Sequence, residues 1–158
     1  MDQEEFIREV WHMRNSMLRL AYSIMKKSHD AEDAVQDAII AGWRKLDTLR
    51  DDSAFRTWMM RIVANTCRSE LRRKRRLILE SEVRTLQDDH DEVRDELWDA
   101  VGALEERLRI PVVLHYYEGF SLAEIAKIVQ RPTGTVATRL RRARELLRHE
   151  LNKKEEQA

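Results

Sequence analysis

The 158 residues carry 29 basic and 29 acidic side chains, a net charge of zero near pH 7, and 42% of the chain is hydrophobic. That is enough apolar material for one medium domain or two small ones, while four glycines and two prolines are too few to turn a many-stranded sheet, so long helices are expected. No apolar run reaches the roughly 20 residues of a membrane span, the start Met1-Asp2-Gln3-Glu4-Glu5 is acidic where a secretory leader is basic, and the single Cys67 excludes an internal disulfide or a cysteine-rich metal site. A soluble protein of a reducing, cytoplasmic setting is expected, with Cys67 in a packing role.

From Glu4 to about Lys27, the residues Phe6, Ile7, Val10, Met17, Leu18, Ala21, Ile24 and Met25 recur at helical spacings, which predicts a first amphipathic helix. Asp30 is placed to cap a second, with Asp33 three residues on in a box-like arrangement. In this second helix Ala31, Ala34, Val35, Ala38, Ile39, Trp43 and Leu46 share one face, and Glu32, Asp33, Gln36, Asp37 and Arg44 lie largely away from it. Carboxylates repel phosphates, so the acidic face is either simply solvated or a docking face for a protein. After a polar loop, Asp47 to Ser53, the residues Phe55, Trp58, Met59, Ile62 and Val63 open a third helix whose tail, through Leu71, turns basic. Arg61, Arg68, Arg72, Arg73, Lys74, Arg75 and Arg76 are more cations than a helix dipole needs, and contact with a nucleic-acid backbone would use them. Phe55 and Trp58 fit core packing better than stacking on unpaired bases.

Between about Leu77 and Asp95 few apolar and many acidic residues predict a linker, which admits a short helix around Leu77 to Leu86. Leu97, Trp98, Val101, Leu104 and Leu108 then restart the helical spacing, with Pro111 expected near the start of the next helix and Gly119 at its end. Ser121-Leu122-Ala123-Glu124 fits a capping box and predicts a short helix, Leu122 to Val129. Gln130-Arg131-Pro132 breaks it, and Thr133 is placed to cap a last helix to about Leu151. Val136, Leu140, Ala143 and Leu147 form its buried stripe, with Thr138, Arg141, Arg142 and Glu145 opposite and Arg139 at the border. Two helices joined by a tight turn, the second with a packed and a cationic stripe, describe a helix-turn-helix able to enter a major groove. Its arginines suit both guanine edges and phosphates, and pattern alone does not separate the two roles. The five histidines lack metal-ligand spacing, and no phosphate loop or nucleophile elbow occurs, so no catalytic site, metal, cofactor or small-molecule substrate is expected.

Three stretches, Asp30-Ala31-Glu32-Asp33-Ala34-Val35-Gln36-Asp37, Trp43-Arg44-Lys45-Leu46 and Phe55-Arg56-Thr57-Trp58-Met59-Met60-Arg61-Ile62-Val63-Ala64-Asn65, closely resemble region two of extracytoplasmic-function (ECF) sigma factors of the sigma-70 family. Gly119-Phe120-Ser121-Leu122-Ala123-Glu124-Ile125-Ala126 and Thr133-Gly134-Thr135-Val136-Ala137-Thr138-Arg139-Leu140-Arg141-Arg142-Ala143-Arg144 resemble their region four. The resemblance implies an all-α fold of two small helical domains, region two at 1–76 and a region-four helix-turn-helix at 96–151. An acidic flexible linker, 77–95, would join them and a disordered tail, 152–158, would follow. It implies an alternative sigma factor that binds core RNA polymerase, at the clamp helices of the largest subunit and the flap region, and directs promoter-specific initiation without catalysis of its own. Glu32, Asp33, Gln36 and Asp37 are the implied polymerase contacts. Asp51, Asp52, Ser53, Asn65, Arg68, Arg72 and Arg73 are implied for recognition and opening of the minus-ten element. Arg131, Thr135, Thr138, Arg139, Arg141 and Arg142 are implied for the minus-thirty-five element. An anti-sigma factor is the implied regulator; it can hold such a protein at the inner face of the membrane, with no insertion by the chain itself.

Overall fold

The computed structural model describes residues 1–80 and 96–157, with side chains omitted at 78–80, and all regular structure among the described residues is helical. The chain divides into two compact units, Met1–His90 and Asp91–Ala158.

The first unit packs three helices, α1 (Gln3–Met25), α2 (Ser28–Arg44) and α3 (Phe55–Glu80), each against the other two. Asp2 and Glu5 start α1 with a capping box: the Glu5 amide donates to Asp2 Oδ1 at 2.8 Å and the Asp2 amide to Glu5 Oε2 at 2.9 Å. Met13, Met17, Leu20 and Ile24 from α1, Ala34 and Ala38 from α2, and Phe55, Met59, Val63 and Cys67 from α3 are buried between them. At roughly 1.5 to 3 kcal/mol for each large apolar side chain removed from water, this shared core is what holds the unit together. Small residues let α2 approach closely. A β-carbon on Gly42 would stand 2.9 Å from the sulfur of the fully buried Met59. Phe6 closes one end of the core, with Trp43 and Phe55 edge-on at 5.5 and 5.8 Å.

The second unit comprises α4 (Glu96–Gly102), α5 (Glu106–Val112), a single π turn (Val113–Tyr117), α6 (Leu122–Val129) and α7 (Thr133–Glu156). Val136, Leu140, Ala143 and Leu147 of α7 are buried, and α4, α5 and α6 each pack on that helix. The Ser121 and Glu124 capping box forms, with the Glu124 amide donating to Ser121 Oγ at 3.1 Å and the Ser121 amide to Glu124 Oε1 at 3.0 Å. Gly119 follows the π turn at φ +75° with its amide donating to the His115 carbonyl at 3.2 Å, the 5→1 bond of an αL cap, while the Phe120 amide reaches one residue farther back to the Leu114 carbonyl at 2.9 Å.

Several expectations are corrected. Lys27, without a side-chain bond, caps α2; Asp30 lies in its first turn and instead ion-pairs with Lys74 of α3. Ile7 is 60% exposed, although its spacing fits the apolar set of α1. The basic third helix continues past Leu71 and past 76 to Glu80, so residues 77–80 extend it; the remainder of the expected linker and its optional short helix, 81–95, lies outside the described residues. The stretch from Leu97 to Leu108 is two helices, because the chain breaks at Ala103–Glu105 while Leu104 stays buried and so preserves the spacing. Pro111 sits in the interior of α5, where its missing N–H and its clash with the preceding turn coincide with the passage into the wider π turn. Thr133 is the first residue of α7; Pro132 precedes it as the cap, without a side-chain bond. The expected disordered tail is helical from Asn152 to Glu156.

Candidate nucleic-acid and protein interfaces

Three polar surfaces emerge from this packing, two on the first unit and one on the second. On α2 the burial of Ala31, Ala34, Val35 and Ala38 forces Glu32, Asp33, Gln36 and Asp37 outward, and all four are exposed on consecutive turns of one face. Nε2 of His29 lies 3.5 Å from Asp33 Oδ2. Glu32 and Gln36 form one wall of a shallow groove between α1 and α2, whose floor and far wall include Val10, Trp11, Leu18 and Ile39. Trp11 is 71% exposed and Ile40 is 50% exposed, so the acidic face is flanked by uncovered apolar side chains. Sequence reading passed over these. The signal was a second stripe on α1, Ile7, Trp11, Arg14 and Leu18, recurring at i, i+4, i+7 and i+11 beside the stripe that fills the core.

The second surface runs along α3. Arg61, Asn65, Arg68, Arg72 and Arg76 recur every three or four residues, and at roughly 100° per residue they form one stripe away from Met59, Val63 and Cys67. Arg68 is half-buried, the other four exposed. Ser69, Arg72, Arg75 and Arg76 surround a shallow concavity, which adds Arg75 and Arg76 to the site residues expected. Arg73 is not in this group: about a quarter turn away, it donates to Glu70 Oε2 at 2.9 Å. That bond, helped by the carboxylates of Glu70 and Asp37, raises its pKa.

Asp51, Asp52 and Ser53 stand at the opposite end of α3. They form a turn in which Ser53 donates to Asp51 Oδ1 twice, from its amide at 3.0 Å and its hydroxyl at 2.8 Å, so the Asp51 carboxyl is held below its ordinary value. The Met1 amino group meets Asp52 Oδ1 at 3.0 Å. From Ser53 to Arg68 the helical rise spans roughly 20 Å, so the residues expected at the minus-ten element line an elongated face and not a pocket. Phe55 is 2% exposed and fills the core, whereas Trp58 beside it is half-buried.

The third surface is the outer side of α7. Thr138, Arg141 and Arg142 are exposed there, with Thr135 and Arg139 half-buried at its edge, and the four buried residues lie opposite. Thr138 Oγ1 donates to the Gly134 carbonyl at 3.0 Å, one turn back along the helix. Arg142 Nη1 lies 3.5 Å from Glu145 Oε2, an exposed pair that a phosphate could displace at little cost. Arg131 is exposed in the turn before the helix, where Gln130 adopts φ +57° and its carbonyl accepts from Arg131 Nη1 at 3.0 Å. The six residues expected here are therefore brought to one end of α7 and the turn that precedes it.

Comparison with known proteins groups these features. Residues 10–77 match sigma-70 region 2, and residues 94–147 match sigma-70 region 4. The RNA polymerase sigma-H factor of Pseudomonas aeruginosa is 32% identical to the chain, the match covering 92% of the chain and 86% of that protein. The ECF RNA polymerase sigma-E factor of Escherichia coli strain K12 is 34% identical over 76% of the chain and 73% of its own length. Among solved structures, the sigma factor RpoE in complex with the anti-sigma factor NepR from Bartonella quintana aligns with a TM-score of 0.81 at 25% identity, over 94% of the chain and 98% of RpoE. CnrH in complex with the cytosolic domain of CnrY aligns at 0.72 and 28% identity, over 96% of the chain and 90% of the solved one.

Proposed function

We propose, from the premise that the chain belongs to the ECF branch of the sigma-70 family, that its three polar surfaces divide the work of transcription initiation. The protein is a sigma factor that directs promoter-specific initiation by RNA polymerase. In this reading Glu32, Asp33, Gln36 and Asp37 dock on the clamp helices of the polymerase's largest subunit, and the exposed Trp11 and Ile40 supply apolar area beside them. The arginine stripe of α3 and the Asp51–Ser53 turn hold the minus-ten element as its strands separate, with an extruded base offsetting an unstacking cost of a few kcal/mol. Arg131, Thr135, Thr138, Arg139, Arg141 and Arg142 read the duplex at the minus-thirty-five element. The acidic residues between 81 and 95 lie between the two contacts in sequence and repel template.

The observation that carries this reading is the sorting of exposed charge. Exposed carboxylates gather on one face of α2, while exposed cations line a stripe of α3 and the outer side of α7, as a molecule needs when one face must grip protein and two must grip polyanion. The chain contributes no catalytic group: bond making belongs to the polymerase, and the factor supplies position and strand capture. Its place of work is the cytoplasm, where polymerase and template are. Among the described residues no helix is long and apolar enough to cross a membrane. RpoE is solved in complex with the anti-sigma factor NepR and CnrH with the cytosolic domain of CnrY, and an anti-sigma partner covering the α2 face or the α7 face is the proposed off-switch.

Run-off transcription with core polymerase, the purified protein and a library of bacterial promoters tests the reading. Defined start sites that require both the protein and the polymerase are expected. A polymerase that ignores the protein, or a protein that binds palindromic duplex as a homodimer without polymerase, would overturn it.

A further inference from the structure

Arg144 lies outside the six residues assigned to the promoter at the start of α7, yet its direction is set from a distance. Its Nη1 donates to the hydroxyl oxygen of Tyr116, 28 residues earlier, at 2.9 Å. Tyr116 is the fourth residue of the π turn. Its neighbour His115 stands edge-on to the Tyr116 ring at 4.9 Å and donates from Nδ1 to the Phe120 carbonyl at 2.8 Å, so the ring is braced on the loop that leads into α6. Tyr116 and Arg144 are both exposed, so their bond buries little and adds little to folding.

On α7, Arg144 and Arg148 continue in line from Arg141, three and seven residues on, along the border of the outer face. A recognition helix meets base edges with its first turns, and residues farther along rise to the level of the phosphates. One Tyr116 bond leaves most of the guanidinium's five donors available. We propose that Arg144 is a phosphate contact flanking the promoter-reading face and that Tyr116 is the positioning residue that holds it there. This rests on the reading of α7 as a promoter-binding helix.

Equilibrium binding of the full chain, assembled with core polymerase, to promoter duplex and to unrelated duplex at several salt concentrations tests it. Arg144→Ala is expected to weaken binding severalfold on both duplexes alike and to reduce the slope of log affinity against log salt by about 0.9. Tyr116→Phe, which removes one oxygen, is expected to reproduce part of that loss in the parent and none of it in the Arg144→Ala background. An equal effect of Tyr116→Phe with and without Arg144, or an unchanged salt slope in Arg144→Ala, would overturn the inference. Arg142→Ala separates the levels. If it reduces promoter selectivity while Arg144→Ala is neutral, only this inference falls; if the parent assembly binds no duplex, the reading of α7 falls with it.

Discussion

Asp33 owes its place to its neighbours: Ala34 and Val35 are drawn into the core, which turns Asp33 to solvent one turn from Gln36 and Asp37. A carboxylate there costs nothing to fold and is available to a cationic partner. Asp33→Arg should leave the unfolding transition within about 0.5 kcal/mol of the parent, as surface changes do. It should weaken binding to core polymerase tenfold or more on every promoter, because it sets like charge against the partner's surface. Equal polymerase affinity in a competition assay would remove Asp33 from the docking face. Asp51 makes a different case, since both Ser53 bonds favour its ionised form. With the folded pKa below the unfolded one, the stabilising effect is complete above about pH 4 and is lost as pH falls through the lower folded value. The Asp51–Ser53 bonds should therefore show no pH dependence near neutrality. The Ser53 amide resonance should titrate with a midpoint below 3.8, and Asp51→Asn should abolish that titration; a midpoint at or above the ordinary value would contradict the bonded turn.

At the scale of helices, the α6 start shows what a local rule fixes. Ser121 and Glu124 satisfy each other's backbone in the arrangement their spacing predicts, so Ser121→Ala is expected to cost about 1 kcal/mol of stability, read as a lowered midpoint of thermal unfolding of the full chain. An unchanged midpoint would mean that tertiary packing alone holds α6. The helices with strong one-sided patterns, α2, α6 and α7, were legible, as was the separation of acidic from basic faces. What failed was punctuation. Periodicity could not reveal the break at Ala103–Glu105, since Leu104 remains buried outside any helix and keeps the rhythm. Pro111 looked like a helix start because the energy that tolerates it inside α5 comes from burial of Leu108, Ile110 and Val112, which a local rule does not include. The expected caps at Asp30 and Thr133 failed for related reasons: Asp30 is held by Lys74, distant in sequence, and Pro132 takes the cap position before α7. Within the candidate surfaces, the exposed Trp11 was missed because an apolar residue on an amphipathic helix is assigned to the core by default. Tyr116 was missed because a π turn has no sequence rule of its own.

Across the whole molecule, the decisive property is that its two cationic surfaces belong to different compact units. Arg72 lies beside Ser69 on α3 of the first, and Arg142 beside Glu145 on α7 of the second. Two contacts carried on one chain act as a bivalent ligand: once one is made, the other proceeds at a high effective concentration, and modest local affinities multiply into selectivity. If each unit holds its own promoter element, the free energies of the two contacts add. Arg72→Ala should then weaken binding of the polymerase assembly on templates with or without the upstream element, by the loss of one phosphate contact. Arg142→Ala should cost about 1 to 3 kcal/mol where that element is present and almost nothing where it is absent. On a complete promoter the double variant should lose the sum of the single losses to within about 0.5 kcal/mol. A coupling energy above about 1 kcal/mol in that cycle would mean that both arginines serve one continuous site, and the assignment of one promoter element to each unit would have to be abandoned.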